Sequence, residues 1–111
     1  MPSTVQLKDG VMIVGNYYIN LIIKAAQIAM RDTCDVIITA GRDGQHGTTS
    51  YHYQDRALDL RFWHIDPDKR EQIADAIRAI LPSYFDVVME KDHYHIEADA
   101  KKELEQKGIL T

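Results

Sequence analysis

The sequence predicts an α+β fold: a small, mainly antiparallel sheet with two or three helices packed on one face. Two segments, 19–30 and 73–81, repeat apolar residues at helical spacing. Four short segments, 36–40, 57–62, 84–90 and 93–98, have the composition and alternation of strands. The chain has 111 residues, 45 % of them hydrophobic and 27 % charged. That suits a single domain with its own core, spanning 1–111.

Residues 1–15 read as an irregular or short-strand entry, with turns at Gly10 and Gly15. Asn16 is placed to cap a helix running to about Asp32, with Ile19, Ile22, Ile23, Ala26, Ala29 and Met30 facing the core. Asp35–Ala40 is a short, nearly continuous apolar run that suits a buried strand. The polar loop Gly41–Ser50 follows, beside the strand, where binding groups are often displayed. Ala57–Phe62 alternates, with Leu58, Leu60 and Phe62 on one face and Ala57, Asp59 and Arg61 on the other. Asp66 and Pro67 start a helix whose stripe is Ile73, Ala76, Ile77, Ile80 and Leu81, and Pro82 ends it. Tyr84–Glu90 and His93–Ala98 form a hairpin around a Lys91–Asp92 turn. Its second strand puts His93, His95 and Glu97 on one face. Residues 99–107 suggest a last helix with Leu104 as its one strong apolar residue.

Charge and cysteine content narrow the function. A net charge of -4 without a basic run argues against nucleic-acid and membrane-surface binding. The one cysteine, Cys34, precludes an internal disulfide and reads as a packing residue rather than a catalytic thiol. No signal-peptide pattern or membrane-length apolar run is seen, so synthesis as a soluble cytoplasmic chain is expected. Oligomeric state is left open.

The segment from Ser50 to Asp59, with Asp92–His95 downstream, concentrates imidazoles and carboxylates on strand-like segments. Two histidines and one carboxylate are the ligand set of a catalytic zinc site with one open position. If the two strands are neighbours, His52, Asp59 and His95 converge on one face. A single histidine near a strand is ordinarily a surface or core residue. The spacing His-x6-Asp followed by Asp-His-x-His is what sets this chain apart. Asp59 lies in an apolar segment, where an unpaired charge is costly. An ion pair with Arg61 or Arg42 is its plain structural explanation.

These residues resemble the zinc peptidases that include D-alanyl-D-alanine carboxypeptidases and dipeptidases, phage L-alanyl-D-glutamate endopeptidases and the Hedgehog signalling domain. The family's first motif is Ser-x-His-x-x-Gly-x-Ala-x-Asp; Ser50, His52, Ala57 and Asp59 match it, with Asp55 in place of glycine. The second motif ends in the last zinc histidine with a catalytic carboxylate shortly before it, and Asp92-His93-Tyr94-His95 blends its Glu-x-x-His and His-x-His forms. The resemblance covers roughly residues 36–98 and implies a Hedgehog/DD-peptidase-like fold.

It further implies Zn2+ held by His52, Asp59 and His95, with Asp92 as general base and Glu90 as its competitor. His93 is expected to stabilise the oxyanion or bind substrate. Arg42 would polarise the scissile carbonyl or hold a substrate carboxylate. Ser50 would orient His52 or touch substrate. Tyr51 and Tyr53 read as a substrate wall or as ordinary packing. His46 reads as a cleft or solvated loop residue, and His64 as packing or capping at the helix start. The implied activity is hydrolysis of peptidoglycan stem peptides, at the cell wall after phage-type release, in a virion, or in the cytoplasm. The alternative is a catalytically inactive zinc-binding domain serving structure or binding of a partner or the cell wall, in a phage particle among other settings.

Overall fold

The computed structural model describes residues 3–43, 50–52 and 54–108. The fold is α+β. Strand β1 (Val5–Leu7) is followed by α1 (Tyr17–Ala29), β2 (Val36–Ala40), β3 (Ala57–Arg61), α2 (Pro67–Ile80), β4 (Phe85–Met89), β5 (His93–Ala98) and α3 (Ala100–Gln106). The five strands form one sheet in the order β1-β2-β3-β5-β4. Among the described residues, only the β1–β2 pair is parallel. The β3–β5 pairing, which the sequence left open, sets Asp59 opposite His95 and Arg61 opposite His93.

Local chemistry accounts for the element boundaries. The Asn16 side chain accepts the Ile19 N–H and starts α1. Asp66 caps α2 with Pro67 in its first turn, and Asp99 caps α3 by accepting the Lys102 N–H. Helix α1 stops at Ala29 instead of Asp32, because Met30 closes the last turn and Asp32 takes a left-handed φ of 61°. Gly10 takes φ 86° in the entry turn, as expected of glycine. Gly15 has no such φ.

The core lies between the helices and one sheet face. Ile19, Ile22 and Ala26 of α1 and Ile73, Ala74 and Ile77 of α2 join Val36, Ile38, Leu58, Leu60, Tyr94 and Ile96 in one buried cluster. In α2 the stripe is shifted from the expected one: Ala74 is buried, while Ile80 is 42 % exposed. The buried residue of α3 is Glu103, not Leu104. Its carboxylate receives hydrogen bonds from Tyr18, Arg56 and Lys107. Arg56 also donates to the Ala98 carbonyl and lies over the Tyr18 ring, fastening the start of β3 to the end of β5. Cys34 packs against the core, and burial pushes its thiol pKa up. His64 places Nε2 on the Asp35 carbonyl, a packing role. No helix among the described residues is long and apolar enough to cross a membrane.

The alternation of β5 is clean: Tyr94, Ile96 and Ala98 are buried and His93, His95 and Glu97 are half-buried. Asp59 of β3 lies beside His95 on that second face. The sheet therefore divides its labour, with one face holding the fold together and the other displaying ionisable groups.

Candidate metal centre

Asp59 is the hub of the ionisable face. Its Oδ1 lies 3.3 Å from His52 Nε2 and 2.9 Å from His95 Nδ1. Its Oδ2 lies 3.7 Å from His93 Nε2. The bland explanation for Asp59 does not hold, because it pairs with imidazoles rather than with Arg42 or Arg61. Burial pushes the Asp59 pKa up, but the hydrogen bonds from His52 and His95 outweigh it and hold the carboxyl well below the usual range. His95 moves the other way. Its hydrogen bond with Asp59 raises it most, burial opposes, and Glu97 adds to the rise, leaving it at about 9.

Each of the three central residues is aimed by a neighbour. His52 is 3 % exposed and its Nδ1 meets the Gly41 carbonyl at 2.9 Å. A carbonyl only accepts, so Nδ1 carries the hydrogen there and Nε2 is the ring nitrogen turned toward Asp59. His95 sets Nε2 at 2.7 Å from Glu97 Oε1, which leaves Nδ1 toward Asp59. The β3–β5 register sets Asp59 directly opposite His95. A backbone carbonyl and a carboxylate behind two histidines are the supports that fix ring tautomer and orientation in metal sites.

The loop bearing His52 is anchored at both ends. Ser50 Oγ accepts the His52 backbone N–H at 3.2 Å. Asp55 takes a left-handed φ of 54° at the position where the resembled motif has glycine. Aspartate tolerates that region better than most residues, so the turn survives the change. The Asp55 carbonyl accepts Asn16 Nδ2 at 2.8 Å, tying the turn to the start of α1. Gly41 is enclosed as well: a Cβ there would lie 2.3 Å from the Met12 carbonyl oxygen.

The donor set fits a divalent metal. One atom each from His52, Asp59 and His95 lies within 4.8 Å of the other two. Four ligands at ~2.05 Å in a tetrahedron stand about 3.3 Å apart. The 3.3 Å His52–Asp59 separation has that length, and the 2.9 Å His95–Asp59 separation is a few tenths short of it. Two nitrogens and one carboxylate oxygen are a ligand chemistry suited to zinc.

The remaining predicted residues fall into two groups. His93 stays with the centre: Nδ1 is 2.7 Å from Asp92 Oδ1, and Nε2 is 3.9 Å from Glu90 Oε1. The His93 hydrogen bond lowers the Asp92 pKa. Asp92 is exposed and sits behind the imidazole, on the side away from Asp59. Arg42 is drawn elsewhere, forming an ion pair with Asp55 at 3.1 Å. The Tyr51 hydroxyl accepts the Ala100 N–H, and its ring lies 5.9 Å from the Arg56 guanidinium. Tyr53 and His46 lie outside the described residues.

Sequence reasoning missed three contributors: Glu97, Gly41 and Asn16. Glu97 had a signal, its shared face with His95 at strand spacing. Gly41 and Asn16 had none, since their roles depend on where loops meet.

An open cleft of about 330 Å³ borders the centre and includes Asp59, Asp92 and His93 in its wall. The chain matches no protein-family model and no curated protein.

Proposed function

We propose that this protein is a zinc-dependent peptidase acting on the amide bonds of peptidoglycan stem peptides, of the D-Ala-D-Ala or L-Ala-D-Glu type. The observation that carries the reading is the convergence of His52 Nε2, Asp59 Oδ1 and His95 Nδ1 beside a cleft. The resemblance of Ser50–Asp59 and Asp92–His95 to cell-wall zinc peptidases supplies the substrate class.

His52, Asp59 and His95 would hold the metal, with Gly41 and Glu97 fixing the two rings. Zinc in such a site supplies a Lewis acid for a carbonyl oxygen and a water acidified toward neutral pH. The chain's own proton chemistry centres on His93. Asp92 receives Nδ1–H, which leaves Nε2 facing the Asp59 side with its lone pair. In that tautomer His93 takes a proton during attack and returns it to the leaving amine, while Asp92 acts through His93. Glu90 borders the same Nε2 and would stabilise the imidazolium.

One observation favours a second reading, a zinc-binding domain without catalysis. The cation expected to meet substrate, Arg42, is engaged by Asp55. The two readings separate by measurement. The purified protein is assayed for bound zinc, incubated with peptidoglycan, and the fragments read by mass spectrometry. One zinc per chain with new amine termini supports the peptidase. Zinc without cleavage, where a related enzyme cuts, refutes it in favour of the second reading. His93→Gln and Asp92→Asn should keep zinc and lose activity by ~10²–10⁴-fold, while Glu90→Gln should lose much less.

A further inference from the structure

The cleft is lined by two unlike sets of side chains: Asp59, Asp92 and His93, and the cations Lys8 and Arg61 with Trp63. The carboxylates are matched to imidazoles. The cations are not matched to acids: neither Lys8 nor Arg61 has an ion pair among the described residues, whereas Arg42, outside this lining, is paired with Asp55. The Arg61 guanidinium sits 4.7 Å from the centre of the Trp63 ring, and Trp63 is 60 % exposed. Stacking on the indole restricts the guanidinium while leaving its N–H edges open to a ligand.

Position follows from the strand. Arg61 is two residues beyond Asp59 on the same face of β3 and opposite His93 of β5. Two strand residues span about 7 Å, close to the reach of one or two residues of an extended peptide.

We propose that Arg61, held on Trp63 and assisted by Lys8, is a carboxylate-binding subsite that selects anionic peptides. The carboxylate it takes lies within one or two residues of the bond at the metal centre, either the peptide's C-terminus or an acidic side chain. The role expected of Arg42 therefore passes to Arg61. The subsite rests on the peptidase reading for the identity of the bond beside it, whereas carboxylate binding itself requires no turnover. A planar guanidinium donates two parallel hydrogen bonds to a carboxylate, a pairing that a neutral amide cannot reproduce.

Trp63 is the chain's one tryptophan and lines the cleft, so its fluorescence reports directly on this site. The zinc-loaded protein is titrated in the cold with acetyl-D-Ala-D-Ala, with its C-terminal amide, and with the amidated acetyl-Ala-Glu and acetyl-Ala-Gln pair. The expected result is a preference of about 10–100-fold for the acid in at least one pair, and the pair that shows it identifies which carboxylate is read. Arg61→Gln should abolish that preference with zinc content and melting temperature unchanged, and Arg61→Lys should retain part of it. Equal affinity for acid and amide in both pairs overturns the proposal, as does an undiminished preference in Arg61→Gln. Acid preference without any peptide cleavage sinks the peptidase reading alone, and cleavage without acid preference sinks the subsite alone.

Discussion

Zinc affinity should rise with pH by about one decade per pH unit between roughly pH 7 and 8.5, because His95 must give up a proton to bind. The metal-free ring is raised to about 9 by Asp59 and Glu97, so near neutrality it is protonated. The atom facing Asp59 is Nδ1, the same atom that would ligate. The sign follows: a raised pKa means a proton bound below 9 and released by the metal, so affinity climbs until that pH. Asp59 adds no competing proton, since its hydrogen bonds hold it far below this range. One proton per metal over 1.5 pH units amounts to ~30-fold in affinity, or about 2 kcal/mol. Competition against a chromophoric chelator calibrated at each pH measures the change. Calorimetry in buffers of different ionisation enthalpy counts the proton directly. A flat affinity profile, or zinc uptake with no proton released, would refute the assignment of His95 Nδ1 as a ligand.

Three further outcomes are expected. Glu97→Ala should weaken zinc binding by ~10–100-fold when measured near pH 9, where loss of the support behind His95 is not masked by the easier deprotonation it also causes. Gly41→Ala should cost roughly 1–3 kcal/mol in denaturant unfolding and also lower zinc affinity, because the new Cβ meets the Met12 carbonyl and moves the oxygen that orients His52. Glu103→Gln should flatten the acid limb of unfolding. Burial pushes the Glu103 pKa up, but Lys107, Arg56 and Tyr18 outweigh it and bring it from 4.5 to about 2. That stabilisation is present above pH 4.5 and is lost as pH falls toward 2, so wild type and variant should converge at the acid end.

Most elements were legible because local chemistry declares them. Asn16, Asp66 and Pro67 announce helix starts, and the alternation of residues 93–98 assigns His95 and Tyr94 to opposite faces. Asp59 stood out because a carboxylate in an apolar strand needs a partner. What local pattern does not carry is pairing between distant segments. Nothing in 57–61 specifies that β3 lies beside β5, yet that register brings Asp59 to His95 and Arg61 to His93. The pairing of Arg42 with Asp55 is likewise a contact between segments distant in sequence, which no local pattern announces. Glu103 escaped because a charged residue in an amphipathic helix is ordinarily exposed. Here Arg56 and Tyr18 arrive from other elements to bury it.

The central claim is that His52, Asp59 and His95 together bind one divalent metal. It is tested most directly by the metal content of protein purified without chelator and dialysed against limiting zinc. Wild type should retain one zinc per chain by elemental analysis. His52→Ala and Asp59→Asn should retain almost none while keeping a cooperative thermal transition. Metal-free wild type, or zinc content unchanged in folded His52→Ala and Asp59→Asn, would contradict the claim.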